Sequence, residues 1–383
     1  MWGIFRRFGK FTQIQELAKF PVEVDKYLTA LGDTNIYKSY MGQKPVQTLD
    51  LLYRSSKKRL NLNTIRWEDY PEIKVCLKEL PLKLNSYSLA NIITIMKCCS
   101  KLMIKDTDLW KSLEQAVIMK IGQLKERQLH DVISAFSQSK STNSQLWKEI
   151  EQVIINKFCP ENNIQSHVLA LIILQYEKLG LLDQNFLSIL EQQINKTYLN
   201  LNGADTSQIL QIYLKYKIGS DDFYKFLTKQ ASLTLHTMDC FNATLALISF
   251  IKLLKGDQVN EFENHILMLS NHVNMKIIGS IFYNYAKYMP VPIINDAKRR
   301  RFMQELGNIL EKNNEIIDKT VSVEDLVYTL YGMAVGKFFD KRDTWGKILE
   351  RVTLLGMENK EDIILFEEIK RILEVNGMKS LIQ

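Results

Sequence analysis

Glycine and proline are scarce, 16 and 7 residues in a chain of 383. Hairpin-rich β architecture depends on the turns these residue types supply, so their scarcity weighs against it and favours long helical runs. Cysteine is equally thin: Cys76, Cys98, Cys99, Cys159 and Cys240 show no C-x-x-C spacing. That argues against a disulfide framework and for a reducing compartment. No apolar run approaches the ~20 residues that a membrane-spanning helix requires. The best stretch, Ala243 to Leu254, is interrupted by Lys252. Also missing are a Gly-rich phosphate loop, a G-x-S-x-G elbow and a kinase signature set. The five histidines (His130, His167, His236, His265, His272) are dispersed and lack cysteine partners, so no metal site is expected. A non-enzymatic chain without cofactor is the expectation.

What is present is a uniform texture. Apolar residues make up 46% and charged residues 24%, an ordinary balance for a chain that buries a core. From residue 41 to the C-terminus this texture never changes, which reads as one array over 41–383. The spacing apolar-x-x-apolar-apolar-x-x-apolar puts four side chains on one helical face. It occurs at Leu89, Ile92, Ile93, Met96; at Leu129, Val132, Ile133, Phe136; at Leu169, Ile172, Ile173, Tyr176; and at Ile209, Ile212, Tyr213, Tyr216. A second set of helices lies between these, and here identity recurs as well as pattern. Leu109-Trp110 followed by Glu114-Gln115 matches Leu146-Trp147 with Glu151-Gln152 and Phe186-Leu187 with Glu191-Gln192; Phe223-Tyr224 and Thr344-Trp345 are looser copies. One helix pair cannot bury its own apolar face, so neighbouring pairs must stack. The expected fold is all-α: an α-solenoid, or superhelix, of about eight or nine helix-turn-helix repeats with a period near 40 residues. Trp110, Trp147 and Trp345 share one place in the repeat, which points to packing between hairpins rather than to stacking on bases.

The formal net charge of +7 is concentrated at one end, since residues 1–60 hold eleven Lys/Arg against five Asp/Glu. Within residues 1–20, Arg6, Arg7 and Lys10 alternate with Trp2, Phe5, Phe8 and Phe11, and no acidic residue precedes Glu16. Such a basic amphipathic segment is the signature of an organellar transit peptide or of a surface membrane anchor. A first helix packed on the array is the other reading. Residues 21–40 would connect this segment to the repeats.

The alternation of an Asn-Ser-x-x-Leu-Ala-x-x-Ile helix, read at Asn85 to Ile92, with a Leu-Trp-x-x-Leu helix resembles the octotricopeptide-type repeats. These belong to organellar RNA-binding proteins and to FAST-kinase-like and RAP-domain proteins. The similarity covers roughly residues 45–350, and no RAP-like module follows it. The resemblance implies an α-solenoid acting in mitochondria or plastids on transcripts, ribosomal RNA or ribosomes, and the basic N-terminal segment favours the mitochondrion, in the matrix or on the matrix face of the inner membrane. The residues it places toward bases are Asn91, Thr94, Asp131 and Ser134, since other one-base-per-repeat readers present polar side chains there. Leu171 and Leu174, at the corresponding places of the third unit, offer only apolar surface.

Two basic runs are candidate phosphate contacts: Arg54, Lys57, Lys58 and Arg59, and the contiguous Lys298, Arg299, Arg300 and Arg301. Lys337, Lys341 and Arg342 form a weaker third group. Two functions follow. One is an RNA-engaging factor, either a transcript-stability protein or an RNA-contacting mitoribosomal component. The other is a scaffold or accessory subunit of a large mitochondrial complex, such as a respiratory complex or ATP synthase, without RNA. Partners are accordingly RNA or other protein subunits, with peripheral membrane contact through the N-terminal segment and no transmembrane helix.

Overall fold

A computed structural model describes residues 71–381 apart from 162–163, 198–200, 254, 290–295, 313–314 and 319–320. Residues 1–20, 21–40 and the run Arg54 to Arg59 lie outside the described residues. Helices account for the regular structure throughout, and no strand occurs among the described residues. The chain divides into two compact units, one ending at Asp183 and one beginning at Gln184.

Unit 1 contains α1 (Pro71–Lys83), α2 (Leu89–Lys101), α3 (Thr107–Lys120), α4 (Glu126–Gln138), α5 (Ser144–Val153) and α6 (Ser166–Lys178). Unit 2 contains α7 (Gln184–Thr197), α8 (Gly203–Tyr216), α9 (Asp221–Thr234), α10 (Cys240–Lys252), α11 (Gly256–Met268), α12 (Met275–Tyr288), α13 (Ala297–Lys312), α14 (Val323–Val335), α15 (Arg342–Leu355) and α16 (Lys360–Val375). Even-numbered helices are the A members of the repeats and odd-numbered ones the B members. In unit 1, α2 packs on α4 and α4 on α6, while α1, α3 and α5 form the second row. In unit 2 the A row runs α8, α10, α12, α14, α16, and α11, α13 and α15 pack in succession. This is the all-α helical-repeat architecture that the apolar pattern implied. Ile92, Ile93 and Met96, Val132, Ile133 and Phe136, and Ile172, Ile173 and Tyr176 are all buried.

Local chemistry sets the helix ends. Ser88, Asp106, Asn143, Asn202, Ser220, Asp239, Asn274, Ser322 and Asn359 accept a hydrogen bond from a backbone N–H of the first turn. Each satisfies a donor that the helix cannot pair internally. At the other end, A helices close with a six-to-one backbone bond. Ile104 N–H donates to Cys99 O, Ser141 to Phe136, Leu181 to Tyr176, Ile218 to Tyr213, and Lys255 to Phe250.

Those acceptors fix the register: 99, 136, 176, 213 and 250 are equivalent places, so the steps are 37 or 40 residues. The longer step falls where α5 continues through a π-helical turn, Ile154–Phe158, into Cys159–Glu161. The even forty-residue spacing of the apolar pattern therefore slips by three residues at two places. Three residues are almost one helical turn, so the apolar stripe overlays itself after the slip. In the structural register Asp131 corresponds to Thr94, not to Asn91, and Ser134 corresponds to Lys97.

Candidate anion-binding cleft

Two successive A–B turns of unit 1 enclose the site. α2 ends with Met103 at φ 57°, and α4 ends with Lys140 at φ 57°. After each reversal the indole of the following B helix ties the turn down. Trp110 Nε1–H donates to Ile104 O at 2.8 Å, and Trp147 Nε1–H donates to Ser141 O at 2.9 Å. Trp345 does the same to Phe338 O at 3.0 Å in unit 2, and Tyr224 uses its hydroxyl on Ile218 O. The aromatic place of helix B is therefore an interior fastening. Tyr176 adds a hydroxyl bond of 3.1 Å to Trp147 O, and Tyr213 one of 2.8 Å to Leu187 O.

The repeated glutamate of helix B joins one repeat to the next. Glu114 is buried, and its carboxylate accepts from Ser141 Oγ–H and from Asn143 Nδ2–H at 2.9 Å. Glu191 likewise accepts from the Ser220 backbone N–H at 3.2 Å and hydroxyl at 2.7 Å. Glu151 faces Asp183 instead, and burial together with that like charge holds its carboxyl above the usual range.

With Glu114 committed to the turn, the cleft between the two turns keeps only cations as exposed charge. Its volume is about 1070 Å³, and its rim carries Lys101, Lys105, Lys111 and Lys140. All four are exposed, and none forms an ion pair among the described residues. Hydroxyl and amide groups of Ser100, Gln138 and Thr142 lie between them, with Ser100 donating to Gln138. Four ammonium groups around a mainly apolar hollow, with hydroxyl and amide groups beside them, offer point charges and hydrogen bonds to a phosphate-bearing ligand.

The residues singled out in the sequence fall elsewhere. Of Lys298, Arg299, Arg300 and Arg301, only Lys298 and Arg301 are exposed. Arg299 is 5% exposed; its guanidinium donates to Asn260 and lies 3.3 Å from Glu263 Oε2. Arg300 sits 5.4 Å over the Phe338 ring and donates to Gly336 O. Counted from the helix cap at Asp296, Arg299 and Arg300 take the places that Leu109-Trp110 and Leu146-Trp147 hold in α3 and α5. The contiguous run is thus not a four-charge phosphate grip, because successive helical residues turn about 100° apart and half of them face inward. Lys298 and Arg301 line a smaller hollow shared with Glu263 and Glu305.

The four residues expected to meet bases present no shared row of free polar groups. Asn91 is exposed, Thr94 returns its hydroxyl to Ala90 O at 3.0 Å, and Asp131 is ion-paired with Lys97 at 2.9 Å. Ser134 is half-buried. In the third group Lys337 is exposed, while Lys341 binds Asn308 and Glu311 at 2.7 Å each. The lysines of the cleft carry no local sequence signal. They are separated by up to 39 positions, and only the return of the chain at equivalent turns brings them together.

No protein-family model matches the chain, and no curated protein matches it in sequence. Among the described residues no three His, Cys, Asp or Glu side chains gather as a metal-ligand group. No described helix is long and apolar enough to cross a membrane. Cys98, Cys99, Cys159 and Cys240 are buried, and burial beside Asp239 pushes the Cys240 thiol up to about 11.

Proposed function

We propose that this chain is a non-enzymatic helical-repeat protein that engages RNA in mitochondria, as a transcript-stability factor or an RNA-contacting component of the mitochondrial ribosome. The observation that carries this reading is the cleft at Lys101, Lys105, Lys111 and Lys140, where four exposed lysines converge without a carboxylate partner. Unpaired lysine clusters attract phosphate backbones, and counter-ion release makes such binding fall steeply with salt. The resemblance to octotricopeptide-type repeats and the basic segment at Arg6, Arg7 and Lys10 support the organellar address. Binding of the full chain to labelled single-stranded RNA is the test, with the salt concentration varied. Affinity that weakens as salt rises is the expected result. Absence of binding at 50 mM salt would reject the reading.

A scaffold function in a large mitochondrial complex is the second reading. It is favoured by Leu171 and Leu174, half-buried at the corresponding places of the third A helix, where apolar side chains suit protein contact better than RNA. Co-sedimentation with a respiratory or ATP-synthase particle, rather than with ribosomal particles, would favour it.

A further inference from the structure

Six A helices among the described residues end in a left-handed residue: Met103, Lys140, Gly180, Lys217, Lys337 and Gly377. Glycine adopts that conformation freely, and Gly180 and Gly377 show that the turn accepts it. Lysine occupies three of the six places although a Cβ disfavours them there. Lys140, Lys217 and Lys337 are all exposed and make no ion pair among the described residues.

The same edge receives the last turn of each A helix. Lys101 and Lys178 stand there in unit 1, and Lys215, Lys252 and Lys287 in unit 2. Favourable interaction with the helix dipole accounts for last-turn lysines in general. It favours a cation at the cap as well, but Gly180 and Gly377 show that the turn closes without one. In unit 2 burial, aided by the charge of Lys287, holds Lys252 below the ordinary lysine range. The edge also holds the acidic starts of the B helices, but these are partly used: Asp106 caps the Leu109 N–H and Asp222 pairs with Lys225 at 2.9 Å.

The A-helix places expected to read bases, and their neighbours, are by contrast largely occupied by contacts between adjacent repeats. Lys97 meets Asp131, Ser249 meets Gln211 at 3.2 Å, and the Tyr283 and Tyr328 rings stack at 4.1 Å. Tyr331 reaches Glu368 at 3.5 Å.

We infer that RNA lies along the A–B turn edge of each unit, held by its phosphates on Lys140 and the last-turn Lys101 and Lys178 in unit 1, and on Lys217 and Lys337 in unit 2. It is recognised by its backbone irrespective of base sequence. This rests on the RNA reading above.

The test uses fluorescence anisotropy of the full chain with labelled U20 and with a mixed-sequence 20-mer. The edge variant is Lys140→Gly/Lys217→Gly/Lys337→Gly, which removes three charges while relieving three strained residues, so the melting temperature should hold or rise. A control variant, Lys148→Ala/Lys229→Ala/Lys347→Ala, removes three exposed charges from B helices. The edge variant should bind at least tenfold more weakly at low salt. Its slope of log affinity against log salt should fall by about two, at roughly 0.7 for each single-strand phosphate that is no longer neutralised. The control should change affinity less than threefold, and the two RNAs should differ by less than threefold. If the wild type binds and the edge variant matches it, or the control weakens binding as much, the edge is not the site. A thirtyfold preference between the RNAs would overturn backbone recognition. Failure of the wild type to bind RNA at 50 mM salt would overturn the functional reading itself, as would retention on anionic lipid vesicles without RNA binding.

Discussion

Arg299 provides the sharpest test of how the array is held together. Its guanidinium and the Glu263 carboxylate are both almost fully buried, at 3.3 Å, and the carboxylate also accepts the Tyr285 hydroxyl. Arg299→Met keeps much of the side-chain volume but strands Glu263 in the interior with one neutral partner. Removing one member of a buried ion pair costs about 3–5 kcal/mol, most of it the penalty on the charge left behind. Arg299→Met/Glu263→Gln removes that charge too and leaves an amide oxygen for Tyr285, so the double variant should return to within about 2 kcal/mol of wild type. The fold accommodates an apolar side chain at this place, since Leu109, Leu146, Phe186 and Phe223 fill it in other repeats.

Urea unfolding followed by far-ultraviolet circular dichroism gives the three free energies, and the difference between them is the coupling. The pH dependence has a definite sign. Glu263 is raised above its ordinary value of 4.5, chiefly by burial, while Tyr285 and Arg299 pull it down. Loss of Arg299 raises it further. A carboxyl with a raised folded pKa gives its full stability below the unfolded value and loses it as pH climbs through the folded value. The deficit of Arg299→Met should therefore be smaller at pH 4 than at pH 7. A single variant within 1 kcal/mol of wild type at neutral pH, or a double variant less stable than the single, would refute the reasoning.

Trp147→Ala should cost about 3–5 kcal/mol by opening a cavity, and Trp147→Phe about 1–2 kcal/mol by leaving Ser141 O without its indole donor; both are read by chemical denaturation. Gly332→Ala should destabilise by about 1–3 kcal/mol or more, since an added Cβ would lie 2.4 Å from Phe282 Cβ where α12 and α14 approach closely. Gly346→Ala, with open space around it on α15, should stabilise by about 0.5–1 kcal/mol, and thermal melts of the pair distinguish packing from helix propensity. Asp183→Asn should raise stability at pH 7 by less than about 1 kcal/mol by replacing the carboxylate that faces Glu151 with an amide. That gain should fade as pH falls through the raised range of Glu151, above the ordinary carboxylate values, which a pH series of melts would show.

Much of the candidate site could not be read from linear order. A run such as Lys298 to Arg301 stands out in a sequence because its charges are adjacent, yet adjacency on a helix scatters side chains around the axis. Arg299 consequently enters the core and Arg300 covers Phe338. Lys101 and Lys140 attract no notice in the sequence because they belong to different repeats, and they share one cleft in the fold. The recurring Glu114, Glu151 and Glu191 were visible as part of a motif, but their partners in the following turn were not. A sharper register was nevertheless present: Trp110 and Trp147 are 37 positions apart, like Cys99 and Phe136.

The sequence by itself determined the helical class, the pairing of A and B helices and the interior place of the tryptophans. Each of these follows from periodicity within one helix or from identity at repeated positions. Tertiary structure alone decided the register between repeats, the inward turn of Arg299 and the convergence of lysines at the turn edge. A three-residue slip nearly preserves the apolar stripe of a helix, so the stripe cannot report it. Only the packing of one turn against the next distinguishes the alternatives.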